Sequence, residues 1–136
     1  LTLLDAKLRD GFCNAAGTSC VSAGKRIAGT ARTQAALGLD WRPHGDWRLG
    51  ADWRHVSAIA ANDSNSVEAP SYNVLGLSAS HTRQWGAWKL NAFARVDNVT
   101  DKKYVGSVIV NEGNGRFYEA APGRQWMAGI SLGYQF

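Results

Sequence analysis

The feature that most constrains this chain is a strict two-residue alternation of apolar and polar side chains. In the final segment, "RQWMAGISLGYQF", every second position is apolar: Trp126, Ala128, Ile130, Leu132, Tyr134 and Phe136. The positions between them hold one Met and otherwise Gly, Ser and Gln. Successive side chains of a β-strand point to opposite faces, so this pattern predicts a strand with one apolar face.

The same alternation recurs in five earlier segments, and helical periodicity is hard to find. Six strands are predicted, at residues 2–9, 31–42, 47–56, 72–82, 87–97 and 126–136. Residues 10–30, 57–70 and 98–124 form long connections, whereas "RPHGD" and "RQWG" form tight turns. We therefore expect an all-β, antiparallel up-and-down meander with one elaborate end and one plain end. Transmembrane β-barrels have this asymmetry, with short periplasmic turns and long external loops.

The predicted strands are long for a soluble protein. Eleven residues extend roughly 36 Å and, when tilted by about 40°, span about 28 Å, which is close to the apolar band of an outer membrane. Strands of soluble proteins are usually about five or six residues long. No segment approaches the roughly 18 consecutive apolar residues that a membrane helix needs. Any membrane spans must therefore be strands.

The tryptophans collect at the predicted strand ends. Trp41 and Trp47 flank the first tight turn, Trp85 and Trp88 flank the second, and Tyr134 and Phe136 belong to the same end. Trp53 and Trp126 mark the opposite rim. This placement predicts an aromatic girdle that includes Trp41, Trp47, Trp53 and Trp88. The alternative is that tryptophan fills a sandwich core. The opposite face carries Asp52, Arg54, Lys89, Arg95 and Asp97, which we interpret as lumen lining able to pair between strands.

Composition disfavours several classes of function. The chain has 136 residues and a net charge of +4, with Lys and Arg spread along its length. That distribution argues against a nucleic-acid partner. No two of the three histidines share a metal-ligand spacing, no nucleophile elbow is present, and the G-x-G of "NEGNGR" follows no βα unit. We expect neither an enzyme nor a resident cofactor or metal.

Two cysteines, Cys13 and Cys20, lie in the stretch "GFCNAAGTSCVSAGKR", which is rich in Gly, Ser and Ala. They predict a short loop-closing disulfide formed in an oxidising compartment, with two free thiols as the alternative. The opening "LTLLDAKLRD" reads as the middle of a strand, without an initiator Met or a signal peptide. We expect a piece of a longer polypeptide whose targeting segment lies elsewhere or has been removed.

Residues 93–136 resemble the C-terminal end of TonB-dependent outer-membrane receptors. The resemblance is carried by an aromatic and an Arg on the penultimate strand, by "DNVTDKKY", by a Gly-rich loop and by "PGR" before the last strand. Its motif residues are Asp97, Asn98, Asp101, Lys102, Tyr104, Pro122, Gly123 and Arg124. Val99 stands where the family usually has Leu, and Thr100 where it often has Phe. Leu4–Lys7 and Ala28–Thr33 are also similar to family stretches, the second without its frequent Pro.

The resemblance implies that residues 1–136 are the C-terminal segment of a transmembrane barrel of about 22 strands. The plug domain and the earlier strands would lie outside this chain. Such a receptor resides in the Gram-negative outer membrane and imports a scarce nutrient, most often a ferric siderophore or haem. The TonB complex supplies the energy through the plug. A passive porin-like barrel and a small soluble ligand-binding β-barrel are the alternatives.

The resemblance also suggests roles for residues of the last long loop and of the last strand. Candidate ligand contacts in the external loop are Asn111, Glu112, Asn114, Arg116 and Tyr118, with loop packing as the alternative role. The residues expected to face outer-membrane lipid, and to form the signal read by the barrel-assembly machinery, are Trp126, Ile130, Leu132, Tyr134 and Phe136. Strand addition to an open sheet edge is one physical account of that signal.

Overall fold

The computed structural model describes residues 1–43 and 45–135, and its regular structure there is entirely β. No helix in this part of the chain is long and apolar enough to span a membrane. The strands are β1 (Thr2–Leu3), β2 (Phe12–Cys13), β3 (Cys20–Val21), β4 (Thr33–Trp41), β5 (Trp47–Val56), β6 (Ile59–Ala60), β7 (Glu68–Ala69), β8 (Tyr72–Trp85), β9 (Trp88–Asp97), β10 (Val105–Val108), β11 (Tyr118–Ala120) and β12 (Gln125–Tyr134).

Six of these strands form one sheet in the order β1-β4-β5-β8-β9-β12. The pairs β1–β4, β8–β9 and β9–β12 are antiparallel, so the chain runs up and down as a meander. The all-β, six-stranded antiparallel prediction is confirmed, while the strand number of a complete barrel stays a prediction. Each predicted long loop contains a short hairpin, β2–β3, β6–β7 or β10–β11. These hairpins were absent from the sequence prediction.

The observed strand bounds agree best with the predicted ones next to the tight turns. β5 spans Trp47–Val56, the predicted segment. β8 runs on to Trp85, and β9 begins at Trp88, so a two-residue turn joins them. Gly86 in that turn has φ +55°, a left-handed conformation that glycine adopts without a Cβ clash and that tight hairpin turns require.

The predicted first strand, residues 2–9, is wrong in length, because β1 contains only Thr2 and Leu3. Beyond the strand, the Leu4 N–H still donates to the Arg32 carbonyl at 2.8 Å. Lys7 then forms an isolated bridge with Arg26, and the Leu8 N–H donates to the Lys25 carbonyl. The segment therefore pairs irregularly with the residues that precede β4, and no regular ladder forms.

The register of β8, β9 and β12 aligns their apolar residues in rows across the sheet. From the tight-turn end, the rows are Trp85–Trp88–Tyr134, Arg83–Leu90–Leu132, His81–Ala92–Ile130, Ala79–Ala94–Ala128 and Leu77–Val96–Trp126. We call this side of the sheet the apolar face. The residues between them belong to the polar face, which includes Lys89, Asn91, Phe93, Arg95 and Asp97 of β9. The alternation in the sequence thus becomes one continuous face because all three strands share this register.

The chain forms two compact units. One comprises Leu1–Ala35, His55–Tyr72 and Lys103–Pro122. Its core consists of small side chains: Ala28, Ala31, Val56, Ala60, Ala61 and Ala69 are buried. The other unit comprises Ala36–Arg54, Asn73–Lys102 and Gly123–Phe136. It contains the long strands, and most of its large apolar side chains are exposed.

Candidate functional site

The polar face of the long strands is organised by ion pairs. The Arg95 guanidinium lies 3.1 Å from the Asp52 carboxylate and 2.7 Å from that of Asp97. Arg48 pairs with Asp40 at 2.6 Å. The sequence analysis suggested pairing for Asp52, Arg95 and Asp97, and the structure brings these three together. Each of the three charged groups has a partner of opposite charge within the sheet, as expected for residues that join neighbouring strands.

The described residues contain no group of three or more His, Cys, Asp or Glu side chains arranged to hold a metal ion.

Glycine keeps part of the polar face open for the side chains that are present. A Cβ built on Gly76 would lie 2.6 Å from a carboxylate oxygen of Asp52. The absence of a side chain there gives Asp52 the space that it needs beside Arg95.

The motif residues after β9 form a closed turn. Asn98 is 3% exposed and adopts φ +52°. Its side chain accepts a hydrogen bond from the Lys102 N–H at 2.8 Å and donates to the Lys102 carbonyl at 2.9 Å. Both polar ends of the side chain are therefore satisfied. This arrangement makes Asn98 a structural residue of the motif, because a buried amide without partners would destabilise the fold.

The same turn holds the start of the last strand. The Asp101 carboxylate accepts a hydrogen bond from the Arg124 N–H at 2.8 Å, and the Arg124 guanidinium donates to the Val99 carbonyl at 3.4 Å. The Val99 N–H donates to the Leu75 carbonyl of β8 at 2.9 Å. We call Asn98, Val99, Asp101, Lys102 and Arg124 the strand clamp. Of the other motif residues, Tyr104 packs its ring against Tyr72 with centroids 4.3 Å apart.

The five candidate ligand contacts lie at or beside the tip of the β10–β11 hairpin. Asn111 has φ +55°, accepts from the Asp63 N–H at 3.0 Å and donates to the Asp63 carboxylate at 2.7 Å. The Tyr118 hydroxyl donates to the Glu68 carbonyl at 2.8 Å. Asn111 and Tyr118 therefore attach this hairpin to the β6–β7 hairpin within the same unit.

Glu112 organises the hairpin tip itself. Its carboxylate accepts hydrogen bonds from the Arg116 N–H at 2.9 Å and from the Asn114 N–H at 2.7 Å. The Arg116 hydrogen bond, supported by those of Asn114, lowers the pKa of Glu112, and partial desolvation opposes this change. The Arg116 guanidinium has no partner among residues 1–43 and 45–135. Of the five candidates, Arg116 is the one whose charged group is available to a ligand.

Contacts between loops give this unit a fixed arrangement. Arg26 forms an ion pair with Glu68, and the Arg26 N–H donates to the Asn65 side chain at 2.7 Å. Cys13 and Cys20 face each other across the β2–β3 hairpin and are joined by a disulfide. The loop carrying the candidate contacts therefore packs against the β6–β7 hairpin, which is in turn held by Arg26.

The aromatic residues near the tight turns lie on the apolar face. Trp88 and Tyr134 pack edge to face with centroids 4.9 Å apart. The other predicted girdle residues, Trp41, Trp47 and Trp53, are exposed, as are Trp126, Ile130 and Leu132 of the last strand. Phe136, the final residue of the proposed assembly signal, lies outside the described residues. The structure thus leaves a broad apolar surface available for contact.

Two polar residues, His81 and Arg83, interrupt the five rows of the apolar face, and neither was predicted to lie on that face. His81 stacks on Trp47 with ring centroids 4.6 Å apart. Arg83 follows two positions later on the same strand and the same face. Extending the alternation from Ala79 by two and four residues gives both positions; His81 lay inside the predicted strand of residues 72–82, and Arg83 lay just beyond it.

Comparison with known proteins agrees with this geometry. Residues 4–99 match the family described as TonB dependent receptor-like, beta-barrel. The match stops before most of the 93–136 motif, which remains a similarity of sequence. The fold is similar to the crystal structure of BauA, the ferric preacinetobactin receptor from Acinetobacter baumannii, with a TM-score of 0.69 and 20% identity. That alignment covers 81% of this chain and 16% of BauA.

A second similar structure is the siderophore receptor PiuA, also from Acinetobacter baumannii. The TM-score is 0.72 and the identity 15%, over 90% of this chain and 17% of PiuA. The chain thus spans about one sixth of the length of either receptor. At these identities the two structures support the fold, and the family match covers most of the chain. The chain belongs to the TonB-dependent receptor family, in its β-barrel part.

Proposed function

We propose that residues 1–136 are the C-terminal segment of an outer-membrane receptor that imports a ferric siderophore or a related iron chelate. The observation that carries the proposal is the family match over residues 4–99, combined with a fold similar to two siderophore receptors. In this proposal the complete barrel has about 22 strands. The TonB complex energises it through a plug domain outside this chain.

The proposed membrane orientation rests on the two faces of the sheet. The rows of β8, β9 and β12 present Trp, Leu, Ile, Val and Ala on one side and ion pairs on the other. Lipid outside and a wet lumen inside would require this distribution. The long connections then belong to the external end of the barrel, as the sequence predicts, and the tight turns to the periplasmic end. The last strand, including Phe136, serves as the substrate of the barrel-assembly machinery.

Ligand contact is proposed for the tip of the β10–β11 hairpin. Arg116 offers an unpaired guanidinium, which suits the negative charge of many iron chelates. Asn114 is exposed beside it. Asn111, Glu112 and Tyr118 support the tip through the hydrogen bonds described above, and their proposed role in binding is to hold Arg116 in place.

A growth assay with the full-length receptor tests the proposed transport. A strain lacking its own siderophore receptors would express the protein under iron limitation and receive single ferric siderophores or haem. We expect one ligand to restore growth only when TonB is functional. Growth restored without TonB would instead favour a passive barrel.

A direct binding measurement tests the proposed ligand contact. Arg116→Gln should weaken the affinity for the ligand about tenfold, while Arg42→Gln beside the tight turn should leave it unchanged.

Cysteine labelling tests the orientation separately. In the full-length receptor, Ile130→Cys and Leu132→Cys should react with a lipid-soluble maleimide. Ser131→Cys and Gly133→Cys, which alternate with them on β12, should react with a water-soluble reagent. The reverse pattern would overturn the assignment of the two faces.

A further inference from the structure

Arg83 is a single cation within the apolar face. Its row continues with Leu90 and Leu132, and the next row towards the turn is Trp85–Trp88–Tyr134. The side chain is exposed, and no residue in the described part of the chain forms an ion pair or hydrogen bond with it. An unpaired guanidinium on such a surface requires a counter-charge from outside the protein or access to water.

The missing parts of the barrel do not account for this situation. Arg83 lies on β8, and the sheet order places β5 on one side of that strand and β9 on the other. Both neighbouring strands are present in full length within the sheet. Further strands of a complete barrel would extend the sheet beyond β12, two positions from β8, and beyond β1, three positions from β8. The surroundings of Arg83 on this face therefore belong to the chain itself.

An open apolar groove lies on the same face, on the side of Arg83 away from the turn. Its floor is formed by the alanines of three adjacent strands, Ala79, Ala92, Ala94 and Ala128. The stacked rings of Trp47 and His81 form one wall, and Ile130 belongs to the opposite wall. Small residues flanked by large ones leave a channel on a surface that would otherwise be level.

We propose that this part of the apolar face binds one phospholipid of the periplasmic leaflet. The Arg83 guanidinium holds the anionic phosphate, and an acyl chain occupies the alanine groove. This inference rests on the proposed membrane orientation. Charge complementarity supports a phosphate, because Arg83 is the only cation in the five rows and an anion would neutralise it. Its position between the Trp85–Trp88–Tyr134 row and the alanine groove places the anion next to a site for an acyl chain.

The depth of Arg83 fits a headgroup. Two residues of strand separate it from Trp85, which amounts to about 5 Å along the membrane normal for a tilt of about 40°. An arginine side chain is long enough to cover that distance and reach the interface where the aromatic row lies. Its guanidinium can form two parallel hydrogen bonds to phosphate oxygens.

The test uses the purified full-length receptor and native mass spectrometry. The receptor in detergent is titrated with phosphatidylglycerol or with phosphatidylcholine, and bound lipid is counted. We expect a preference of about fivefold for phosphatidylglycerol, the ratio that one basic residue near an anionic surface provides. Arg83→Gln should remove most of this preference. Lys89→Gln, which removes the same charge from the polar face of the adjacent strand, should preserve it.

A second variant tests the groove independently of the charge. Ala94→Phe should lower the amount of both lipids bound while leaving the headgroup preference unchanged. Inorganic phosphate should not compete, since it lacks the acyl chain. Equal preference in the wild-type receptor and Arg83→Gln would overturn the proposal, as would full lipid binding by Ala94→Phe.

The labelling of Ile130→Cys distinguishes this outcome from failure of the proposed function. Lipid-soluble labelling together with an unchanged Arg83→Gln variant would refute the lipid site alone. Water-soluble labelling at that position would refute the membrane orientation itself.

Discussion

The backbone N–H of Arg124 donates a hydrogen bond to the Asp101 carboxylate at 2.8 Å, across a separation of 23 residues. The β10–β11 hairpin lies between them in the chain. This contact closes the base of the excursion, and β12 begins at the next residue, with Gln125 opposite Asp97. The motif that resembles the receptor family therefore has a structural role. It brings the chain back to β9 in the register that the last strand needs.

Replacing Asp101 by Ala should destabilise this return. The change removes the acceptor of the Arg124 N–H and leaves a non-glycine residue at φ +51°. We expect a loss of about 1–2 kcal/mol in the free energy of unfolding. Urea unfolding of the full-length receptor in detergent would measure it. Asp101→Asn is the matched control, because Asn keeps an acceptor oxygen and tolerates the left-handed conformation. If both variants lost the same stability, the hydrogen bond would not be the cause.

Asn98 should be more sensitive than Asp101, because it is buried and both ends of its amide are paired. Asn98→Ala removes two hydrogen bonds to the Lys102 backbone and places Ala at φ +52°. We expect a cost of about 2–4 kcal/mol, combining unpaired backbone groups with backbone strain. Asn98→Gly separates the two causes. It also removes the two side-chain hydrogen bonds, but glycine adopts the left-handed conformation without strain. Heat-induced mobility shifts of the receptor on gels would report the loss. A Gly variant as stable as wild type would assign the effect to strain alone.

The sequence predicted the strands well where local chemistry marks both ends. β5 was found in full because Trp47 follows a tight turn and the alternation gives way after Val56 to the apolar run of residues 58–61. The first strand was predicted too long because alternation reports which way side chains point and says nothing about a partner strand. Residues 4–8 alternate correctly, yet they meet the irregular segment around Lys25 and Arg26.

The candidate site was less predictable, since its contacts join residues far apart in sequence. Glu112 was singled out as a polar loop residue, but its hydrogen bonds to Arg116 and Asn114 depend on the fold of the hairpin tip. Tyr118 reaches Glu68 across 50 residues. The two-residue strands of the β2–β3 and β6–β7 hairpins are too short to show an alternation in the sequence. The positions of His81 and Arg83 on the apolar face, by contrast, followed from simple alternation and were overlooked.

Glu112 should make the hairpin tip sensitive to acid. Its pKa lies below the ordinary value because the ionised carboxylate accepts backbone hydrogen bonds, first from Arg116 and then from Asn114. The stabilisation is complete above the unfolded pKa of about 4.3 and is lost as the pH falls through the lower folded pKa. The backbone N–H groups of residues 114 and 116 should therefore be less protected from hydrogen exchange when the pH falls below the folded pKa of Glu112. In Glu112→Gln the side chain keeps an acceptor oxygen but cannot ionise, so the protection should not change across this pH range. A pH dependence that persists in this variant would show that another group is responsible for it.

Gly129 should be intolerant of a side chain, unlike Gly133 on the same face of β12. Gly129 lies opposite Phe93, and a Cβ built on it would come within 2.5 Å of the Phe93 ring. The nearest atom to a Cβ on Gly133 is the Lys89 carbonyl oxygen at 3.9 Å. Because the ring must move, Gly129→Ala should cost about 1 kcal/mol in the free energy of unfolding. Gly133→Ala should be nearly neutral. Both are measured by urea unfolding of the full-length receptor.

A second background tests the cause. In Phe93→Ala the cost of Gly129→Ala should disappear, since the ring that causes the clash is gone. A cost that persists there would place its origin in the backbone of the last strand.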